Sequence, residues 1–187
     1  MDLGRVINEL NPENQWVMDR EGIATRKFDG TPCMIKNSSI YKRYDVKLWK
    51  KKRGKIITFT EKELQAKIPT GAIPCQDPDP ITGHWPHWVL CDRDNPADKY
   101  FFEAFDNQLF WEIGTYELCG PKINGNPEKF KQHILIPHGF ERVKIIDFSF
   151  ESIKNTLSLL DIEGIVFHHS TDGRMCKIRK TDFGLKR

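Results

Sequence analysis

Apolar positions along this chain recur mostly every second residue, and only in a few places every third or fourth. At the start, LGRVINELNPENQ places Leu3, Val6, Ile7 and Leu10 at helical spacing, and Asn11-Pro12 stops the predicted helix. From Gly22 the period becomes two. GIATRKFDGTPCMIKNSSIYKRYDVK predicts consecutive short strands, with turns at Asp29-Gly30 and at Asn37-Ser38-Ser39. AKIPTGAIPCQDPDPITGHWPHW, rich in Pro and Gly, predicts a long ordered loop. In NPADKYFFEAFDNQL an Asn cap and a first-position proline open a helix of about three turns. Phe101, Phe105 and Leu109 fall on one face of it. Strands follow in FWEIGTYELCG, HILIPHG and ERVKIID, then a helix in SFESIKNTLSLLD capped by Ser149 or Ser152. EGIVFHHS and RMCKIRK predict two closing strands joined by Thr171-Asp172-Gly173. No repeat, low-complexity segment or composition shift marks a boundary. The expectation is one α+β domain of mainly antiparallel sheets with few helices.

Composition narrows the class. A chain of 187 residues, 39% hydrophobic and 29% charged, has the makings of a globular core. No apolar run approaches the ~20 residues of a membrane helix, and MDLGRVINEL lacks the basic-then-apolar order of a leader. The expected partner set excludes membrane, and the expected location is cytoplasmic or nuclear. Five dispersed cysteines without a CxxC pair read as reduced thiols rather than a zinc site. His84 and His87 read as loop features. The net charge of +3 is small, but YKRYDVKLWKKKRGK gathers basic residues among aromatics. Such a run suits a phosphate backbone and equally suits a solvated hairpin face.

Candidate chemistry starts at Lys27, in ATRKFDGTPCMIK. A lysine amine with a reference pKa near ~10.4 is a poor nucleophile at neutral pH unless desolvation or nearby cations favour its neutral form. Asp29-Gly30 follows two residues later. Glu117 lies in the middle of a predicted strand, where a carboxylate faces solvent, pairs with a lysine across the sheet, or binds something polar such as a ribose hydroxyl. Glu163 precedes a glycine and an apolar strand, a place for a strand cap or a magnesium ligand, direct or through water. Lys177 and Arg179 alternate on one strand and share a face, as a solvated face or as a grip on an α-phosphate. Phe101, Phe102 and Phe105 read as core, and His168 and His169 point to opposite sides of their strand.

Taken in order, these segments resemble the covalent nucleotidyltransferase superfamily of polynucleotide ligases and capping enzymes. KFDG resembles motif I, TYEL motif III, EGIVFHH motif IV and KIRK motif V, over Lys27 to Lys180. GTYELCGPKINGNPE is similar to bacteriophage-type RNA ligases, and KFDGTPCMIK and YKRYD are similar to the vertebrate 5'-3' RNA ligase family. The resemblance implies a ligase-like, ATP-grasp-related adenylation domain. It implies an ATP-dependent RNA ligase, acting with magnesium or manganese through lysyl-AMP on RNA 5'-phosphate and 3'-hydroxyl ends, and expected as a monomer. Lys27 would be the adenylated nucleophile. Asp29 would orient it and bind hydrated metal, beside Gly30. Glu117 would meet the ribose or the metal's water shell, and Glu163 would join that shell. Lys177 and Arg179 would hold the α-phosphate, with Arg43 a candidate phosphate or ribose contact. Phe140 and Ile146 lie where the family stacks the base. The likeness departs at Pro32, where an arginine is common, at His168, where DNA ligases carry a basic residue, and at Arg179, where lysine is usual. With the sequence ending at Arg187, no OB domain is expected. The alternatives are a GTP-dependent capping guanylyltransferase, a minimal DNA ligase, or a non-catalytic RNA-binding module of the same fold.

Overall fold

The computed structural model describes residues 5–187. Residues 5–11 carry no helix, and Leu3 lies outside the described residues. A stretch of about two turns makes too few hydrogen bonds to offset helix nucleation. Asn11 and Pro12 open a helical segment instead of closing one. Asn11 Oδ1 accepts the Glu13 N–H at 3.1 Å, Pro12 begins a 3-10 turn (Pro12–Asn14), and α1 (Gln15–Met18) follows. Proline's missing N–H and fixed φ suit a helix start.

The alternating run forms β1 (Gly22–Lys27), β2 (Thr31–Lys36) and β3 (Ser39–Lys47). β2 and β3 make a hairpin over Asn37 and Ser38, with φ of 50° and 55°, a turn whose twist matches the strands. Asp29-Gly30 makes no such hairpin, because β1 and β2 belong to different sheets. β4 (Trp49–Lys52) and β5 (Lys55–Thr58) form a separate two-stranded ribbon. α2 (Glu61–Gln65) starts on a capping box between Thr60 and Glu63.

The Pro-rich loop is shorter than the sequence predicts. β6 (Ile73–Pro74) interrupts it, and β7 (His84–Leu90) takes His84 and His87 as strand residues. Pairing with β3, from Lys47 opposite His84 to Tyr41 opposite Leu90, outweighs the local proline preference. Pro86 contributes only its carbonyl, which accepts the Cys75 N–H at 2.9 Å. A 3-10 turn (Pro96–Asp98) capped by Asn95 leads into α3 (Lys99–Phe105), so Leu109 lies beyond the helix and is exposed. β8 (Gly114–Cys119), β9 (Ile134–Pro137), α4 (Phe150–Leu159, capped by Ser149), β10 (Gly164–His169) and β11 (Met175–Arg179) complete the elements. ERVKIID is not a regular strand. It touches β1 through the Arg26 N–H to Glu141 O and the Val143 N–H to Ala24 O.

Every strand pair among the described residues is antiparallel, so the chain is α+β with mainly antiparallel sheets. It divides into two units. Residues 5–29 and 138–187 build the first around a sheet ordered β1-β10-β11. Ala24, Ile165 and Phe167 pack there with Trp16, Val17, Ile153 and Leu157. Gly30–Pro137 builds the second around a sheet ordered β6-β7-β3-β2-β8-β9. Its core joins Cys33, Ile35, Ile40 and Leu118 to Phe101 and Ala104 of α3. Lys42 Nζ donates to both oxygens of buried Asp98 at 2.5 and 2.7 Å, tying the helix start to the sheet. All five cysteines are free thiols. No helix among the described residues is long and apolar enough to cross a membrane.

Candidate active site

In the first unit, register gathers the chemistry. Lys27, the last residue of β1, lies opposite Gly164 of β10, which lies opposite Arg179, the last residue of β11. Residues paired across a ladder share a face, and the face alternates along each strand. Lys27, Thr25, Val166, His168, Lys177 and Arg179 therefore share one face, while Ala24, Ile165, Phe167 and Ile178 turn to the core. A Cβ on Gly164 would lie 2.4 Å from the Ile178 carbonyl oxygen. Glycine thus lets β11 close on β10 directly after Glu163. The Glu163 carbonyl accepts the Lys180 N–H at 2.9 Å, fixing the mouth of the strand.

Lys27 Nζ forms an ion pair with Glu163 Oε2, with the two side chains only 21% and 20% exposed. The amine and the carboxylate proposed from separate motifs are thus in direct contact. Arg179 does share the face of Lys27, but its guanidinium donates to Asp182 at 2.8 and 3.1 Å. That bond is the largest cause raising the Arg179 pKa above its ordinary value. Asp29 Oδ2 lies 3.5 Å from Arg187 Nη1. Asp182 and Arg187 are the partners that sequence reasoning missed. Asp182 sits three residues after Arg179, a spacing that could have drawn attention, whereas nothing local pointed to Arg187. His168 Nε2 lies 3.0 Å from Thr25 Oγ1. Burial first, and His138 second, lower the His168 pKa below its ordinary 6.5, so the ring adds no charge at neutral pH.

In the second unit, Glu117 of β8 is 8% exposed, and its Oε1 accepts the Gly30 N–H at 3.1 Å. Asn124 Nδ2 donates to the Gly30 carbonyl at 2.7 Å. Both sides of this residue's backbone are held by side chains, a role that the sequence did not reveal for Asn124. Gly30 is not needed here for a positive φ. A Cβ would sit 2.3 Å from the Leu118 carbonyl oxygen, so its use is close approach to β8. Arg43 is exposed and meets Asp45 at 3.3 Å. The ladders through β2 put Arg43 and Glu117 on the same face of their sheet, opposite the side that packs on α3.

Phe140 and Ile146 are 73% and 82% exposed, and neither is buried against a neighbour in its own unit. A cavity of about 460 Å³ in the first unit is lined by apolar residues including Val17, Phe148, Ile153 and Phe183. Its lining includes Lys177 but not Lys27, Asp29, Glu163 or Arg179, so its shape says nothing of the lysine's chemistry.

Magnesium binds through one or two carboxylates and keeps several waters. Asp29 and Glu163, one two residues from Lys27 and the other in contact with it, fit that donor chemistry. No group of three or more His, Cys, Asp or Glu side chains among the described residues is placed to hold a metal. The fit is therefore to a hydrated ion and not to an all-protein cage. Compared with known proteins, the chain matches no family model and no curated protein.

Proposed function

We propose that this chain is an ATP-dependent RNA ligase, built on the nucleotidyltransferase fold, that joins a 5'-phosphate to a 3'-hydroxyl through AMP carried on Lys27. The observation that carries this reading is the meeting of Lys27 and Glu163, 136 residues apart in sequence, on the sheet face that also bears Lys177 and Arg179. An isolated surface lysine needs none of this company.

In the first step the Lys27 ammonium gives up its proton, and Glu163 is the carboxylate in contact with it. The Nζ lone pair then bonds to the α-phosphorus of ATP. The bond from that phosphorus to the bridging oxygen breaks, and pyrophosphate leaves with the electron pair. Lys177 and Arg179 give the face positive charge where the phosphoryl oxygens gather negative charge. Arg179 must exchange part of its bonding to Asp182 to do so. In the second step an oxygen of the RNA 5'-phosphate attacks the same phosphorus, the nitrogen–phosphorus bond breaks, and Lys27 regains a proton. In the third, the 3'-hydroxyl oxygen loses its proton and bonds to the 5'-phosphate phosphorus, and AMP leaves. Asp29 and Glu163 would hold magnesium or manganese, whose chemistry is to neutralise phosphate charge. Glu117 is assigned to the ribose or the metal's waters, and Arg43 to ribose or phosphate.

The test is incubation with α-labelled ATP. Label should become bound to the chain, survive alkali, be released by acid, and vanish in Lys27→Ala. Glu163→Gln should lower adenylation by about 10–100-fold while the melting temperature changes little. Label from GTP alone would identify a capping guanylyltransferase, and joining of nicked duplex DNA in preference to single-stranded RNA a DNA ligase. No label from either nucleotide would leave an RNA-binding module without catalysis.

A further inference from the structure

We infer that the β4–β5 ribbon of the second unit is a docking surface for the phosphate backbone of single-stranded RNA, an inference that rests on the ligase reading for its partner. The ribbon carries Lys50, Lys51, Lys52, Arg53 and Lys55 with no acid among them. All five side chains are exposed, and none forms an ion pair among the described residues. The register places Lys52 directly opposite Lys55, at the tip, beside the Arg53-Gly54 turn. Lys50 shares that face, two residues along the strand.

Like charges directly opposed weaken a strand pair, and a two-stranded ribbon is marginal to begin with. Folding does not account for this arrangement, since the ribbon would be more stable with either lysine neutral. A bound polyanion removes the repulsion. Lys67 adds charge from outside the ribbon: its amine lies over the Phe59 ring at 4.1 Å from the centroid, and Lys50 of β4 lies over the same ring at 5.4 Å. Of the acids that flank the ribbon in sequence, Asp45, Glu61 and Glu63, the first meets Arg43 at 3.3 Å and the third is tied to the Thr60 N–H at 2.8 Å by the cap of α2.

The ribbon is anchored at its base rather than along its length. The Leu48 N–H donates to the Gly83 carbonyl and the Phe59 N–H to the Leu48 carbonyl, both at 2.9 Å. Trp49 packs so closely on Gly83 that a Cβ there would lie 2.5 Å from the indole. A membrane-inserting hairpin would carry its apolar residues at the tip. Here Ile56 and Ile57 lie opposite Lys51 and Lys50, and the tip itself is Lys52-Arg53-Gly54-Lys55. The charge is where a phosphate chain would touch first.

The experiment measures binding of the full chain to fluorescein-labelled, 5'-phosphorylated single-stranded RNA across a KCl series. Each phosphate contact contributes about 0.7 to the slope of log affinity against log salt. Changing Lys50→Gln, Lys52→Gln and Lys55→Gln together should reduce that slope by about 2, with a melting temperature equal to or above that of the parent. An unchanged slope overturns the proposal, as does a parent chain that binds no RNA. So does a variant that loses binding to phosphatidylserine vesicles while keeping its RNA slope. Self-adenylation of the parent chain is read separately. Its absence would remove the ligase reading without altering what the salt slopes say of the ribbon.

Discussion

Lys27 ends a strand and meets a carboxylate that arrives from a distant segment of the chain. What it does depends on that company and not on its residue type. The same holds for the glycines of the motifs. Gly30 and Gly164 are required because carbonyl oxygens of neighbouring strands would lie 2.3 and 2.4 Å from an added Cβ. His168, on the face of Lys27, yields a prediction in pH. Burial, with His138 contributing, holds its pKa below 6.5 in the folded chain. The unfolded chain therefore binds this proton first. Well above 6.5 the ring is neutral in both states and contributes nothing. As pH falls through 6.5 toward the folded value, stability is lost. His168→Gln should flatten the fall in melting temperature between about pH 7 and about pH 5. A fall as steep as that of the parent would show that another group is responsible.

Elements with strong alternation were legible. The strands β1, β2, β3, β8 and β11 lie within segments whose period of two marks them, β10 within a short apolar run, and of the two serines that the sequence offers as a cap for α4, Ser149 is the one used. Elements governed by partners were not. β7 contains a proline and reads as loop until β3 is placed beside it. ERVKIID has the right alternation and still forms only scattered bonds to β1. The helix expected before Asn11 is absent from residues 5–11, because so short a stretch does not offset the cost of helix nucleation. At this scale the close pairing of β10 and β11 is testable. Gly164→Ala should destabilise the chain by about 1–3 kcal/mol through overpacking against the Ile178 carbonyl, measured by urea unfolding. A change inside about 0.5 kcal/mol would mean that β11 gives way at no cost.

Across the whole chain, the first unit is assembled from both ends of the sequence and the second from the middle. Nothing in composition marks Asp29/Gly30 or Pro137/His138, because each side of each junction is the same alternating mixture. The two cores are built on different residues. Leu157→Ala in the first and Leu118→Ala in the second, both fully buried, should each cost about 2–5 kcal/mol in chemical unfolding. Amide exchange should rise first in β10 for the former and in β2 and β8 for the latter. Simultaneous loss of protection in all strands of both units would show that they open as one.

The sequence by itself determined the α+β class, most strands, the Asn95 cap of the turn that leads into α3, a serine cap for α4, the basic run and the order of charged motifs. Each of these depends on residues within a few positions of one another, where period and backbone preference act. Only the tertiary structure decided that Lys27 touches Glu163, that Asp182 engages Arg179, that Arg187 meets Asp29, and that Glu117 and Asn124 hold Gly30. The contacts that bridge distant segments arise when burial of apolar faces selects one strand register from many, and the Arg179–Asp182 bond forms only once the chain turns after β11. No pattern within a short window encodes that selection.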